Sequence, residues 1–585
     1  MPEPRLKTPV KPKARARAKA AAASPERGTA WWMYPAIAIA ALYVVFQVYS
    51  PALGGPFVFD DNDLPYRLSS FSSDLRSWIS GVRPLLMFTY WLNFQVSKEP
   101  FGYHAVNVFL HVLNGFLLYF IIRKLLVLQP GETPARNDGL IAGFAASAFL
   151  LHPVQTEAVS YIASRSECLS VLFFFAAFAA FLYRGSQAIS WRAGIGVLAL
   201  FAAALATKEH TLTLAGLLVL TDYYWNPGFS FAGIRRNWRI YLPVVAVSLG
   251  GLAFVGRILE RASSAGFRIK EFTWYQFFFT QCRAFFVYLR LFLFPAGQNI
   301  DYDYPISRTL VDRGAILGLI AILVLAVAAF YFRRRYPLAS YGFFVYLLLM
   351  APTSSFVPIK DALAERRMYL PMIGLLLIMA DGLRRVRLDR RKMAYGMSAL
   401  AAVLAFVTWQ RNQVWAADMA LWEDSVHKSP QNPRAHFQLA QAYMDNGRVQ
   451  DALSQFAETA RLQAPTYELL VDWGLAYDQA GRLEEALAKL RQAAALRPGA
   501  HVYSQIGMVY AKRSQWPEAL AALDQAEKLD PNYAYSYYYR GGIRAKTGDF
   551  AGAVADYQRA LAIDPSIEPA RQGLAYAQQR LATPR

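Results

Sequence analysis

Apolar and polar positions divide the chain into two regimes. Up to Arg411 it alternates long apolar runs with short polar stretches; beyond that point it turns amphipathic and periodic. Uninterrupted apolar runs of about 17–25 residues are membrane-spanning candidates. They lie near 31–49, 105–122, 139–152, 167–183, 193–207, 210–225, 240–258, 313–332, 338–352, 369–383 and 394–410. Trp274–Pro295 is also apolar, but its interior Gln281, Arg283 and Arg290 suit an interfacial or re-entrant helix. After Arg411 a period of about 34 residues sets in, the spacing of tetratricopeptide (TPR) units. Small residues recur at Ala440, Gly474, Gly507 and Gly541, followed by Tyr443, Tyr477 and Tyr510, with Arg544 in the fourth copy. Ala452, Ala486, Ala519 and Ala553 mark the second helix of each unit, and Pro498, Pro531 and Pro565 close three of them.

This pattern predicts an all-α protein: a polytopic helical bundle of about eleven spans followed by an α-solenoid. The expected divisions are a disordered basic cytoplasmic tail (1–30), a membrane domain with outer loops (31–412), a half-repeat connector (413–432) and a solenoid of four repeats with a capping helix (433–585).

Charge then orients the bundle. The formal net charge is +20, with basic residues gathered in short runs between apolar segments: Arg123-Lys124, Arg235-Arg236, Arg333 to Arg335 and Arg384 to Lys392. That is a topology signal and not a nucleic-acid stripe. The basic tail predicts a cytoplasmic N-terminus, and the first apolar run reads as a retained signal anchor. The solenoid is then extracytoplasmic. Trp31-Trp32 fits an interfacial belt. Cys168 and Cys282 are the only cysteines, too few for a disulfide framework or a thiolate zinc site.

With that topology the outer loops collect polar clusters. The first carries Asp60, Asp61, Asp63 and Arg67, then Arg83. The second runs from His152 to Glu167, where Glu157, Tyr161 and Arg165 fall at i, i+4 and i+8 and predict one polar helix face. The third is Thr207 to His210, and the last runs from Lys360 through Glu365, Arg366 and Arg367. Carboxylates facing cations at a membrane surface suit a lipid-phosphate donor: a carboxylate takes a proton from an acceptor hydroxyl while cations hold the departing phosphate. The same residues also suit structural roles. The Asp cluster also suits a turn and helix cap, Glu157/Arg165 a structural pair, Lys208-Glu209 a loop pair, and Arg366-Arg367 a headgroup anchor. His104, Asn107, His111 and Asn114 recur within one span and predict interhelical hydrogen bonds.

FVFDDND, RPLLMFTYWLNF and GYHAVNVFLHVLN, then LLHPVQTEAVSYIASRSE, ATKEHTLTLAGLLVLTD and AERRMYLPMIG before the repeats, resemble the transmembrane and tetratricopeptide-repeat O-mannosyltransferase family. Glu271 to Pro305, ending in NIDYDYP, resembles a loop region of the same family. The resemblance implies a GT-C glycosyltransferase fold. It also implies transfer of a sugar from a polyprenyl-phosphate carrier at the extracytoplasmic face, with a catalytic acidic pair at Asp60 and Asp61. The short repeat array and long basic tail have a bacterial look and point to an inner membrane. The expected mechanism inverts the anomeric centre. One of Asp60 and Asp61, with Asp61 preferred, is the base, and the other orients the acceptor or shares a divalent Mg or Mn ion. Arg165, Lys208 and Arg366 are the expected phosphate ligands, with His152, Glu157, Glu209 and Arg83 behind them. The TPRs are expected to bind a protein acceptor or partner. Two rival readings are a non-enzymatic TPR membrane scaffold and a lipid-linked glycan ligase or polymerase.

Overall fold

The computed structural model describes residues 32–64, 74–128, 137–184, 188–226, 229–261 and 264–582. The expected tail at 1–30, Trp31 and Arg67 lie outside them. The described chain is helical; its only β-type pairing is one isolated bridge, Ala265 to Ile359.

Helices occupy all eleven apolar segments and Trp274–Leu293. Six of them, Pro35–Ala52, Pro100–Val127, Ile162–Leu182, Trp238–Glu260, Asp312–Arg334 and Arg390–Val414, are long and apolar enough to cross a bilayer. A seventh results if Asp138–Leu151 and Pro153–Ser160, bent by 51°, form one broken span. Trp191–Leu205 and Pro337–Met350 are apolar but shorter. At 1.5 Å per residue such helices reach about 20 Å, against a hydrocarbon core of about 30 Å.

Pro100–Val127 is the central helix. Pro100 opens it, where a missing N–H does no harm. His104, Asn107, His111 and Asn114 form its buried polar stripe and tie neighbours together as expected. Asn107 Nδ2 donates to the carbonyls of Val159 and Tyr161 (3.3 Å each), His111 meets the Tyr369 hydroxyl (2.8 Å) and Leu150 O (3.1 Å), and Asn114 Nδ2 donates to Cys168 O (2.8 Å). In an apolar medium these bonds satisfy groups that would otherwise be costly to bury. Pro337–Met350 and Met372–Arg385 cross glycine to glycine. A Cβ on Gly342 would lie 2.6 Å from Gly374 O, so no larger residue fits without separating the helices.

The solenoid consists of helix pairs 433–445/449–462, 467–479/483–496, 500–512/516–529 and 534–547/550–563, then Glu568–Ala582. The recurring small position has a packing cause. A Cβ on Gly474 or Gly507 would stand 2.8 Å from Leu490 or Leu523 of the partner helix. In the fourth copy Tyr557 takes the leucine's place, and Arg544 pairs with Asp556 (2.8 Å). The connector and the first repeat dock on the membrane domain through the loop 297–303. Lys428 Nζ donates to Gln298 O (2.8 Å), Asn299 Nδ2 to Ser429 Oγ (2.9 Å), and Arg434 Nε to Asp301 (2.6 Å).

Candidate functional site

A turn at Phe59–Asp63 separates the two neighbouring carboxylates. Phe59 has a left-handed backbone (φ 48°), a conformation that side chains other than glycine rarely adopt. Phe59 holds it by packing edge-on to Trp422 (4.6 Å between ring centroids) and against Tyr161 (6.2 Å). Asp61 then folds inward and is fully buried. Its Oδ2 accepts from Val58 N–H (3.1 Å) and its Oδ1 from Ala163 N–H (2.7 Å), pinning the first loop to the second. Burial pushes the Asp61 carboxyl up to about 8, against the pull of those amide donors. Asp60 stays exposed, and its N–H donates to the Tyr161 hydroxyl (3.0 Å).

Asp60 lines a cavity of about 690 Å³ together with Arg83, Lys208, Glu209 and Arg366. Tyr161, Ser166, Trp78 and Tyr90 complete much of its wall. Each cation is steadied by a carboxylate. Arg83 meets Glu209 with a two-pronged contact (3.0 and 2.9 Å). Lys208 Nζ donates to Glu167 (2.5 Å) and Ser166 Oγ (3.2 Å). Arg366 pairs with Glu157 through its guanidinium and its own N–H (2.9 Å). Burial pulls the Lys208 ammonium down, and Glu167 opposes it. His210 lies 3.7 Å from Glu167, yet burial lowers it to about 4, so it is neutral near pH 7 and Lys208 is that carboxylate's cation. Glu157 and Glu167 are buried behind the wall, whereas the three cations keep partial exposure and N–H groups beyond those engaged. Such a wall can receive an anionic oxygen.

Several expectations change. Glu157, Tyr161 and Arg165 do not share a helix face. The helix stops at Ser160, Tyr161 is extended, and a new helix starts at Arg165. Arg165 is fully buried away from the cavity. It donates to Asn107 Oδ1 (2.9 Å), Tyr103 O (3.0 Å) and Thr89 O (3.2 Å) and lies over the Tyr90 ring (4.4 Å). No phosphate reaches it there. His152 also stands apart, stacked on Phe292 with its Nε2 2.9 Å from Phe292 O while Nδ1 accepts from Val154 N–H. Arg83 and Glu209 line the cavity itself, and only Glu157 stands behind it as expected. Asp60 and Asp61 do not fit a shared divalent ion, because Asp61 faces inward onto two amides. No cluster of three or more His, Cys, Asp or Glu suited to a metal occurs among the described residues.

Sequence reading missed Glu167 as the anchor of Lys208, although its charge in the second loop was a signal. It missed Asp361, which accepts from Arg366 (3.4 Å) and Arg434 (2.8 Å), because nothing local marks a contact to Arg434 seventy-three positions away. Glu365, expected among the charges of the last outer loop, is buried instead. It accepts from Gln298 (2.6 Å), Asn299 N–H (2.8 Å) and Tyr302 (2.6 Å), and so anchors the loop that carries the solenoid. Burial raises its carboxyl to about 7. A carboxyl raised on folding favours the folded state below its unfolded value near 4.5, and that contribution is lost as pH rises through about 7. The thermal midpoint of the full chain in detergent should therefore fall between pH 5 and pH 8. Glu365→Gln should flatten that fall, and an equal slope in both proteins would refute it.

The Tetratricopeptide repeat family matches residues 420–468, 437–501 and 505–566. Protein O-mannosyl-transferase Tmtc3 of Drosophila melanogaster is 26% identical over 566 residues, covering 80% of this chain and 59% of that protein. The chain is similar to proteins named as O-mannosyl-transferases. A Protein O-mannosyl-transferase of Caenorhabditis elegans is 24% identical, covering 76% of this chain and 64% of its own length. For Protein O-mannosyl-transferase TMTC1 of Homo sapiens the figures are 24%, 75% and 56%. The chain thus spans about six-tenths of the length of these O-mannosyltransferases, and a match to three-quarters or more of it is too long to lie in the repeats alone.

Proposed function

We propose that this chain is a membrane glycosyltransferase that moves a hexose, mannose by analogy with its relatives' names, from a polyprenyl-phosphate donor to a hydroxyl of a protein acceptor, at the extracytoplasmic face. The observation that carries the reading is the single cavity in which an exposed Asp60 faces a wall of Lys208, Arg366 and Arg83. Its volume, about 690 Å³, lies within the range of small-ligand sites. Asp60 takes the proton of the acceptor hydroxyl as that oxygen forms its bond to the anomeric carbon. The bond from that carbon to the phosphate oxygen breaks on the opposite face, and the cations stabilise the charge left on the lipid phosphate. Attack opposite the leaving group inverts the anomeric centre. Asp61 is assigned a positioning role: it braces the turn and leaves proton transfer to Asp60.

The acceptor's approach is placed in a second cleft of about 870 Å³, lined by Phe59 and Asn62 of the same turn and by Gln438, Gln441 and Asp472 of the first repeats. The Phe59–Asp63 turn lines both this cleft, through Phe59 and Asn62, and the donor cavity, through Asp60, while the repeats form the cleft's other wall. This supports a protein acceptor over a glycan chain.

The test uses membranes holding the full chain, supplied with polyprenyl-phosphate [³H]mannose and scored for label in protein. Lys208→Gln should lower transfer by roughly 10- to 100-fold, mainly through a raised KM for the lipid donor. Unchanged donor KM would remove Lys208 from phosphate binding, and label in glycan alone would favour the ligase reading.

A further inference from the structure

The cavity wall is tied to the solenoid by an unbroken line of charges. Arg434 stands in the first turn of the first repeat's opening helix, Pro433–Asp445. Its Nε donates to Asp301 (2.6 Å) and its Nη2 reaches both Asp301 and Asp361 Oδ1 (2.8 Å). The other oxygen of Asp361 accepts from Arg366 Nη2 (3.4 Å), while Nη1 of Arg366 holds Glu157. Arg366 lines the donor cavity. Arg434 also lies 5.9 Å from the ring of Phe59, the residue whose left-handed turn presents Asp60. One guanidinium from the solenoid therefore contacts the support of a cavity cation and the turn that exposes the candidate base. Lysine would replace it only in part, since an ammonium lacks the fixed fork that meets Asp301 with two N–H groups while reaching Asp361.

We propose that Arg434 is a positioning residue for the transfer reaction, setting Arg366 through Asp361, so that the first repeat is a structural part of the donor site. This rests on the glycosyltransferase reading above. Asp301 is buried and Asp361 partly so, and both are placed by loops instead of helices. Without Arg434, Asp361 loses its second cation, and the carboxylate that steadies Arg366 beside Glu157 is no longer held from the solenoid side. A guanidinium displaced by a fraction of an ångström stabilises a leaving phosphate poorly while still attracting it. The expected signature is a loss in kcat greater than the rise in donor KM.

The experiment compares the full chain with Arg434→Ala, Arg434→Lys, Asp361→Asn and the Arg434→Ala/Asp361→Asn double variant in the same membrane assay. Arg571→Ala, which removes an exposed pair with Glu568 in the last helix, is the control. Arg434→Ala should lower kcat at least 10-fold with donor KM changed less than 3-fold, and Arg434→Lys should recover only part of it. The double variant should be no worse than the poorer single one, because both break the same line. Amide hydrogen exchange over 361–368 should quicken in Arg434→Ala and not in Arg571→Ala. Unchanged exchange at 361–368, or transfer by Arg434→Ala equal to wild type, overturns the proposal. If the wild-type chain itself labels no protein, the glycosyltransferase reading fails first and the catalytic meaning of Arg434 goes with it.

Discussion

Asp60→Asn should lower sugar transfer by ~10²–10⁴-fold, the usual loss when a general base is removed, with the thermal midpoint in detergent unchanged. The side chain is exposed in the cavity lined by Lys208 and Arg366, and its fixed contact runs through its own backbone N–H to Tyr161, which asparagine retains. The comparison that decides the assignment is Asp61→Asn. There the amide oxygen can keep the bond from Ala163 N–H, but the new NH₂ faces the Val58 N–H donor. Two donors pointed at each other in a buried place cost about 1–3 kcal/mol. Asp61→Asn should therefore lower the midpoint, and its activity should track the surviving folded fraction. Kinetics and melting curves on both variants check this. Full stability with no transfer in Asp61→Asn, paired with an active Asp60→Asn, would reverse the assignment of base and brace.

The second large effect is on stability. Arg165→Ala should destabilise the membrane domain by ~3–5 kcal/mol, since it strands the buried Asn107 Oδ1, takes a second donor from the helix carbonyls of Thr89 and Tyr103, uncovers the Tyr90 ring and leaves a large cavity. Arg165→Lys should recover part of the loss, because an ammonium reaches fewer of these acceptors in one geometry. Detergent melting curves give the stability, and donor KM per folded molecule should stay near wild type. A phosphate ligand would behave oppositely, with an intact fold and a large rise in donor KM. That outcome would return Arg165 to the site.

The acidic pair and Arg165 were each legible in the sequence only in part. The acidic pair was legible as a pair, yet adjacent residues in a turn need not face the same way. Phe59's left-handed backbone, held by Trp422 from far along the chain, sends Asp61 inward and Asp60 outward. Arg165 was legible as a polar outlier at a helix start, and helical spacing linked it to Glu157. A break at Tyr161 cancels that spacing, and Glu157 pairs with Arg366, two hundred and nine positions away. The stripe of His104, Asn107, His111 and Asn114 was legible because its partners needed no identification. Any polar group on a buried helix face must find some oxygen or nitrogen nearby.

What the sequence by itself determined is the local and periodic part of this protein: apolar runs that become helices, a 34-residue repeat whose small residues admit a bulky facing side chain, and the loop charges from which the cavity is drawn. Those follow from interactions within a few residues, or from repetition. Which of the charges reach the cavity was decided only by the tertiary structure. So was the reach of the solenoid, through Arg434 and Asp361, to its wall. The reason is physical: an ion pair or hydrogen bond depends on separations of about 3 Å. In a bundle closed by loops, those separations are set by how helices far apart in the chain pack together.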